Sequence, residues 1–319
     1  MAGRKLEERL DQVKQLRGAA PSESIDVMLR KALADRSNLV VAEAAKIVGE
    51  QGRTILIPEL LAALDRLFDD PVKNDSKCWG KTAIVKALVA LDHGESAAFL
   101  RASRYVQMEP VWGGQEDAAI HLRANAVLAL VQCEDLSRAQ VLRLLVDALA
   151  DPADPVRLEA VRALEQMNGE ESAVLLRLKA HSGDRRPHVI GQVFDSLLQL
   201  ERDTAVAFVA RFLESENPEV CDEAALALGN WRCASAVKIL IETWHRTRAN
   251  ESRSVLLRAL SVSREESALK FLLELVANGS DRDSAAALDA LHLHKDTDEI
   301  QKLVDDAKRI RQPRTGDGT

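Results

Sequence analysis

Aromatic side chains are scarce in this sequence: one tyrosine, six phenylalanines and four tryptophans, 3% of 319 residues. A β-sandwich or barrel normally draws on aromatic and β-branched bulk, so this scarcity argues against a β fold. There is no excess of positive charge either. Lys and Arg number 43 against 50 Asp and Glu, a formal net charge of -7, whereas a nucleic-acid binder usually carries a basic balance. Cys78, Cys133, Cys221 and Cys233 form no C-x-x-C pair. They read as reduced, partly buried thiols, which points to the cytoplasm rather than to a disulfide framework. No stretch approaches the roughly 18 consecutive apolar residues of a membrane span, and the opening MAGRKLEERLDQV lacks the apolar run of a signal peptide.

What the sequence has is small and aliphatic residues in a repeating pattern; hydrophobic residues make up 46%. An apolar anchor recurs at Val48, Leu91, Leu130, Leu164, Leu197, Leu228, Leu260 and Leu291. Four positions earlier stand Ala44, Ala87, Ala126, Ala160, Val193, Ala224, Leu256 and Ala287. Three earlier and one earlier nearly every residue is again small or aliphatic. These offsets share one side of a 3.6-residue helix, so that side is expected to be buried, with Ala allowing neighbouring helices to approach. Partner helices are predicted ahead of each anchor helix, at Ile25–Asp35, Ile57–Phe68, Ser96–Val106, Gln140–Leu149, Ala173–Ala180, Val206–Leu213, Val237–Trp244 and Ala268–Ala277. Asn217-Pro218 and Asp154-Pro155 read as helix starts, and Ser137 with Gln140 and Ser263 with Glu266 as capping boxes. Gly49, Gly169 and Gly229 are placed at helix exits.

A repeat of this kind defines an all-α fold, a right-handed α-solenoid of about eight helical hairpins with essentially no strand. We read residues 1–310 as one domain with an N-terminal capping helix to Arg17 and a break at Gly18–Pro21, and residues 311–319 as a disordered tail. Two segments carry a family resemblance. Asp154-Pro155-Val156-Arg157-Leu158-Glu159-Ala160 resembles the HEAT pattern D-P-x-V-R-x-x-A, one residue short before the valine. Asn217-Pro218-Glu219-Val220 keeps the spacing but has Cys221 for the arginine. The resemblance is to bacterial HEAT repeats of the phycocyanobilin-lyase-like type and spans roughly residues 22–295. It implies the fold and leaves function among scaffolds and a few enzymes.

Chemistry-bearing motifs are few. G-x-S-x-G, Walker A, G-x-G-x-x-G and H-E-x-x-H are absent. No His-Glu dipeptide occurs, which argues against the di-iron deoxyhypusine hydroxylases that resemble this fold. His292, His294, Asp296 and Asp298 carry metal-ligand side chains, but residues two apart on a helix face different ways. No cofactor, metal or catalytic residue is assigned. Arg123, Arg157 and Arg253 share one repeat position near the packed side, where each needs a carboxylate; we read them as an Arg–Asp ladder. Pooled over all repeats, the exposed second-helix positions carry Glu43, Glu159, Asp195, Glu219, Glu223, Glu251 and Asp289 against Lys46, Lys86, Arg162, Arg258 and Arg282, a poor phosphate track.

The repeats closing at Leu91 and Leu130 are the long ones, and their extra residues fall in the turns Asp69–Trp79 and Gln107–Asp117. Equivalent turns of a solenoid line one edge, where insertions often build a binding face. The second turn, in QMEPVWGGQEDAA, also resembles a stretch of bacterial HEAT-repeat proteins. Trp112 is the expected anchor, with Gly113 and Gly114 allowing close backbone approach. Glu109, Gln115 and Asp117 are expected as polar rim contacts, and Lys77 and Trp79 as the contribution of the neighbouring turn. The competing role for Trp112 is a plug between repeats; Trp79, Trp231 and Trp244 also admit plain packing roles. The functional expectation is a non-catalytic interaction scaffold for a protein partner, not membrane-bound, with a nucleic acid disfavoured and a monomer compatible with the sequence. The alternatives are a bilin-lyase-like enzyme or subunit and a HEAT-like DNA-binding or repair protein.

Overall fold

The computed structural model describes residues 2–20 and 22–311; the predicted tail, apart from Arg311, and Pro21 of the predicted break lie outside the described residues. The chain groups into two compact units, Met1–Met167 and Asn168–Thr319, and each is an all-α stack of antiparallel helical hairpins. In the first unit, α1 (Ala2–Gln15) precedes four hairpins. They are α2 (Glu23–Leu33) with α3 (Asn38–Glu50), α4 (Ile57–Leu67) with a short α5 (Pro71–Asn74) and α6 (Trp79–Ala90), α7 (Ala97–Ser103) with α8 (Ile120–Ala129), and α9 (Arg138–Leu149) with α10 (Asp154–Met167). The second unit repeats the scheme with α11 (Glu170–Ser182) and α12 (Pro187–Glu201), α13 (Asp203–Ala210) and α14 (Pro218–Trp231), α15 (Ala234–Arg246) and α16 (Asn250–Ser263), and α17 (Glu266–Asn278) and α18 (Asp281–Leu291), closed by α19 (Asp298–Arg311).

Within each unit the second helices stack in series: α3, α6, α8 and α10 in one, α12, α14, α16 and α18 in the other. This is the solenoid principle, each hairpin burying its apolar face on the next. All eight predicted anchors are buried, as are the residues four before them. The stripe is imperfect at two places: Ala90 is exposed and Leu288 half-buried. Helix starts follow local chemistry. Ser137 and Gln140 form the expected capping box, and the Asn217 Oδ1 accepts from the Glu219 amide at 3.0 Å ahead of Pro218. Ser263 with Glu266 does not form the expected box. Ser263 closes α16, where its buried hydroxyl donates to the Leu260 carbonyl at 2.6 Å.

Gly49 and Gly229 are also placed differently from expectation. They lie inside α3 and α14, not at exits. A Cβ on Gly229 would come 2.4 Å from the Ala259 carbonyl oxygen, and one on Gly49 would come 3.1 Å from the Ala87 Cα. At these crossings glycine serves helix–helix approach rather than backbone freedom. The departure from an all-helical chain is a small antiparallel pair, β1 (Met108–Val111) and β2 (Gly114–Asp117), where a plain turn was expected.

The close crossing yields a test of sign. Gly→Ala inside a helix ordinarily stabilises by about 1 kcal/mol through propensity. Gly229→Ala should instead destabilise by about 1–3 kcal/mol, because the new methyl meets backbone that must shift. Urea unfolding of the variant reads the sign directly; a gain in stability would mean that α14 and α16 are not this close.

Candidate functional site

The two long turns of the first unit meet, and they do so through buried polar groups. The residue at the centre is Asp75, fully buried with Lys81 beside it; the Lys81 Nζ lies 3.0 Å from the Asp75 Oδ2. The carboxylate also accepts from the Gly80 amide at 2.8 Å and the Lys81 amide at 2.9 Å, so it caps the start of α6. Asn38 donates to it from α3 at 3.0 Å. The ammonium donates to the Leu67 carbonyl at 3.1 Å and lies 5.5 and 5.3 Å from the Phe68 and Tyr105 ring centres. Removing one partner of such a buried pair typically costs about 3–5 kcal/mol. To bring Asp75 onto the helix it caps, the chain takes left-handed backbone at Lys77 (φ 59°) and Cys78 (φ 51°). Such non-glycine conformations are strained and need surrounding contacts to hold them.

The β hairpin leans on this turn through Glu109. Its carboxylate accepts from the Ser76 hydroxyl at 2.9 Å, the Lys77 amide at 2.6 Å and the Gln107 side-chain amide at 2.6 Å. Gln107 in turn donates to the Asp75 carbonyl at 2.9 Å. Burial alone would push the Glu109 carboxyl up; the bonds from Gln107, Lys77 and Ser76 outweigh it and hold the group below its ordinary value near 4.5. Asp117 ties the hairpin to the next helix. It accepts from the amides of Gln107 and Ala119 at 3.1 and 2.9 Å and pairs with Arg123 at 2.6 Å. Its desolvation is likewise outweighed, first by the Ala119 amide and then by Arg123, and its carboxyl is lowered. Arg123 also reaches Asp151 of the following hairpin at 3.1 Å. Arg253 repeats the arrangement with Asp283 at 3.1 Å, while Arg157 donates to the carbonyls of Asp151 and Pro152 at 2.9 and 3.1 Å. Arg123 and Arg253 thus form the expected cross-repeat pairs with aspartates.

Glu109 and Asp117, expected as rim contacts, therefore direct their oxygens into the protein. Trp112 does the opposite. It sits in the two-residue connection of the hairpin, with a relative exposure of 103%, so the plug role is not the one it fills. Gly113 beside it has φ 92°, which the turn needs and glycine supplies. Gly114 and Gln115 are exposed, and Val111 and Met108 keep close to half their surface in solvent. Lys77 and Trp79 lie on a different surface, an open groove of about 640 Å³ along α3 and α6. Its floor includes Ala42 and Ala83, and Lys46, Lys86 and His121 line it as well. None of these last three was among the residues expected to bind a partner, although Lys46 and Lys86 were read as exposed. Their shared groove was readable only by splitting the exposed stripe repeat by repeat.

Other candidates resolve into packing. Trp231 donates to Asp203 at 2.9 Å, and the Arg253 guanidinium stacks 3.9 Å from the ring centre of buried Trp244. His294 is buried with its Nε2 3.0 Å from the Ser261 carbonyl oxygen. Among the described residues no three His, Cys, Asp or Glu side chains gather in a metal-holding group. Cys78, fully buried, has its thiol pushed up to about 12, chiefly by desolvation, so it is no nucleophile at neutral pH. No helix among the described residues is long and apolar enough to cross a membrane.

The fold defines a helical-hairpin repeat protein. More particularly, residues 205–292, from α13 to the end of α18, match the family described as HEAT repeats. No curated protein matches the chain. Among solved structures it is similar to human deoxyhypusine hydroxylase in complex with glycerol, at 24% identity over 81% of this chain and 90% of that one, with a TM-score of 0.31. It is also similar to the complex of CpcE and CpcF of phycocyanin lyase from Nostoc sp. PCC7120, at 18% identity over 91% and 96%, with a TM-score of 0.34. Overlap this low bears on neither site nor activity.

The lowered Asp117 carboxyl fixes a pH dependence. A carboxylate held low in the folded state stabilises above its unfolded value, and that contribution is lost as pH falls through the folded value. Asp117→Asn should therefore cost about 2 kcal/mol near pH 7, the worth of charge-assisted bonds. The gap between variant and parent should narrow progressively as pH falls below the ordinary carboxylate value of 3.8 toward the lowered folded one. A gap in thermal midpoint that stays constant over this range would show that the charge on Asp117 is not what holds the hairpin base.

Proposed function

We propose that the protein is a non-catalytic scaffold that binds a protein partner, with the tip of the β1–β2 hairpin as its principal anchor. The observation that carries this reading is the contrast between tip and base. The base is fixed by Glu109, Gln107 and Asp117, and the tip presents a tryptophan wholly in solvent. A fixed, exposed indole buries a large amphipathic surface at little entropic cost, the usual profile of an interface hot spot, worth about 2–4 kcal/mol. Gly113, Gly114 and Gln115 supply backbone and polar contacts around it, and Val111 and Met108 extend the apolar patch. Lys77 and Trp79 serve the partner from the neighbouring surface. The polar groups beneath the tip are engaged with one another and Cys78 stays protonated, which supports a binding role over a catalytic one. A cytoplasmic setting belongs to the same proposal, supported by free thiols at Cys78, Cys133, Cys221 and Cys233.

Trp112→Ala separates binding from folding. The indole touches nothing that stability depends on, so the thermal midpoint should move by no more than about 2 °C. A partner captured by the parent chain and identified by mass spectrometry should bind at least about 30-fold more weakly. A midpoint lowered by several degrees with the partner retained would overturn the proposal.

A further inference from the structure

The groove along α3 and α6 has a charge character that the pooled composition conceals. The exposed positions of the second helices are acidic in the second unit, where Asp195, Glu219, Glu223, Glu251 and Asp289 outnumber Arg258 and Arg282. In the first unit the carboxylates are already matched. Glu159 pairs with Arg162 at 2.7 Å. Glu43, the carboxylate lining the groove, is held by Arg17 at 3.2 Å and by Lys46 at 3.8 Å. The ammonium groups of Lys77 and Lys86, by contrast, have no carboxylate within ion-pair distance among the described residues. Lys77 lies instead over the Trp79 ring, 5.6 Å from its centre. Trp79 itself is half exposed, at 49%, above a floor of small buried residues that includes Ala42 and Ala83.

Three lysines, one neutralised carboxylate and an aromatic wall over an apolar floor fit a particular ligand. We propose that this groove binds an acidic linear segment of a protein, its carboxylates meeting Lys77, Lys86 and Lys46 and one apolar side chain packing on Trp79. Charge complementarity selects the sign of the ligand. The apolar part of the lining, Leu10, Leu39, Ala42 and Ala83 with the Trp79 ring, favours a peptide that carries an apolar side chain over a polyphosphate chain. The left-handed backbone at Lys77 is held by the Glu109 carboxylate on its amide. The side chain therefore projects from a fixed main chain, and less entropy is lost when it forms an ion pair. Lys77 and Trp79 belong to the proposed partner surface as well, but no residue of the hairpin tip lines this groove, so the two readings can fail separately.

The test uses the full chain and fluorescein-labelled peptides of about a dozen residues, Glu- and Asp-rich around a central Leu or Phe. Two controls accompany them: the same peptides with Gln and Asn for the acids, and a single-stranded oligonucleotide of equal charge. Anisotropy should show acidic peptides binding at least about tenfold more tightly than neutral ones, with affinity falling as salt rises. The double reversal Lys77→Glu with Lys86→Glu should abolish this preference. Lys86→Gln alone, on an exposed side chain that folding does not need, should weaken binding measurably. Trp112→Ala should leave the peptide affinity unchanged, so that failure of the hairpin reading and failure of this one give different results. Equal binding of acidic and neutral peptides, retention of affinity by the folded Lys86→Gln and double-reversal chains, or tighter binding of the oligonucleotide would each overturn the proposal.

Discussion

A buried carboxylate must be matched by donors, and Asp75 is matched by two helix amides, an asparagine and the Lys81 ammonium. Much of the local structure follows from that demand. Lys81 emerges from α6 two residues past its start, so the turn before the helix has to fold back to bring Asp75 within reach. The fold-back places Lys77 and Cys78 in left-handed backbone, where the Lys77 amide turns outward and needs an acceptor. Glu109 supplies the acceptor from the hairpin. Desolvating two charges is expensive, and an apolar pair of similar volume would often be as stable. What the ion pair and its hydrogen bonds add is direction: this turn, this helix start and this hairpin are compatible with one arrangement.

The consequence for function is a division of labour between base and tip. Elsewhere the hairpins need only stack, and the means are cheap: small residues, a glycine at a crossing, an arginine reaching the aspartate of the next hairpin. At the third hairpin of the first unit the chain adds a β ribbon that contributes little to stacking and places an indole in water. Exposed apolar surface of that kind marks a contact site when the backbone beneath it is fixed. The groove beside it shares Lys77 with the same turn, so one buried network positions side chains on two surfaces.

The repeat was legible because helical periodicity is a strong, redundant signal. Eight anchors and their companions at three and four residues all report the same face, and an exception such as exposed Ala90 does not disturb the pattern. The adjacency of the two long turns followed from repeat geometry. The β hairpin was not legible as strand. Met108 to Asp117 shows no clear alternation of apolar and polar residues, and Pro110 interrupts the run; the remaining cue was Gly-Gly after Trp112, a turn signal that several structures satisfy. The inward roles of Glu109 and Asp117 were hidden for a related reason. In a loop a carboxylate reads as solvated, and only tertiary structure brings the Lys77 amide and Arg123 to it. Gly49 and Gly229 were misplaced because a glycine near a helix end signals an exit and a close crossing equally well.

The central claim is that a buried polar network makes the two turns one rigid element beneath an exposed anchor. Amide hydrogen exchange on the full chain with Glu109→Leu tests it most directly, because leucine keeps the bulk and removes the acceptor. The account predicts that protection is lost together at residues 75–79 and 107–118, while the helices carrying Ala160 and Ala224 exchange as before. Loss confined to the Lys77 amide, with the hairpin still protected, would contradict it.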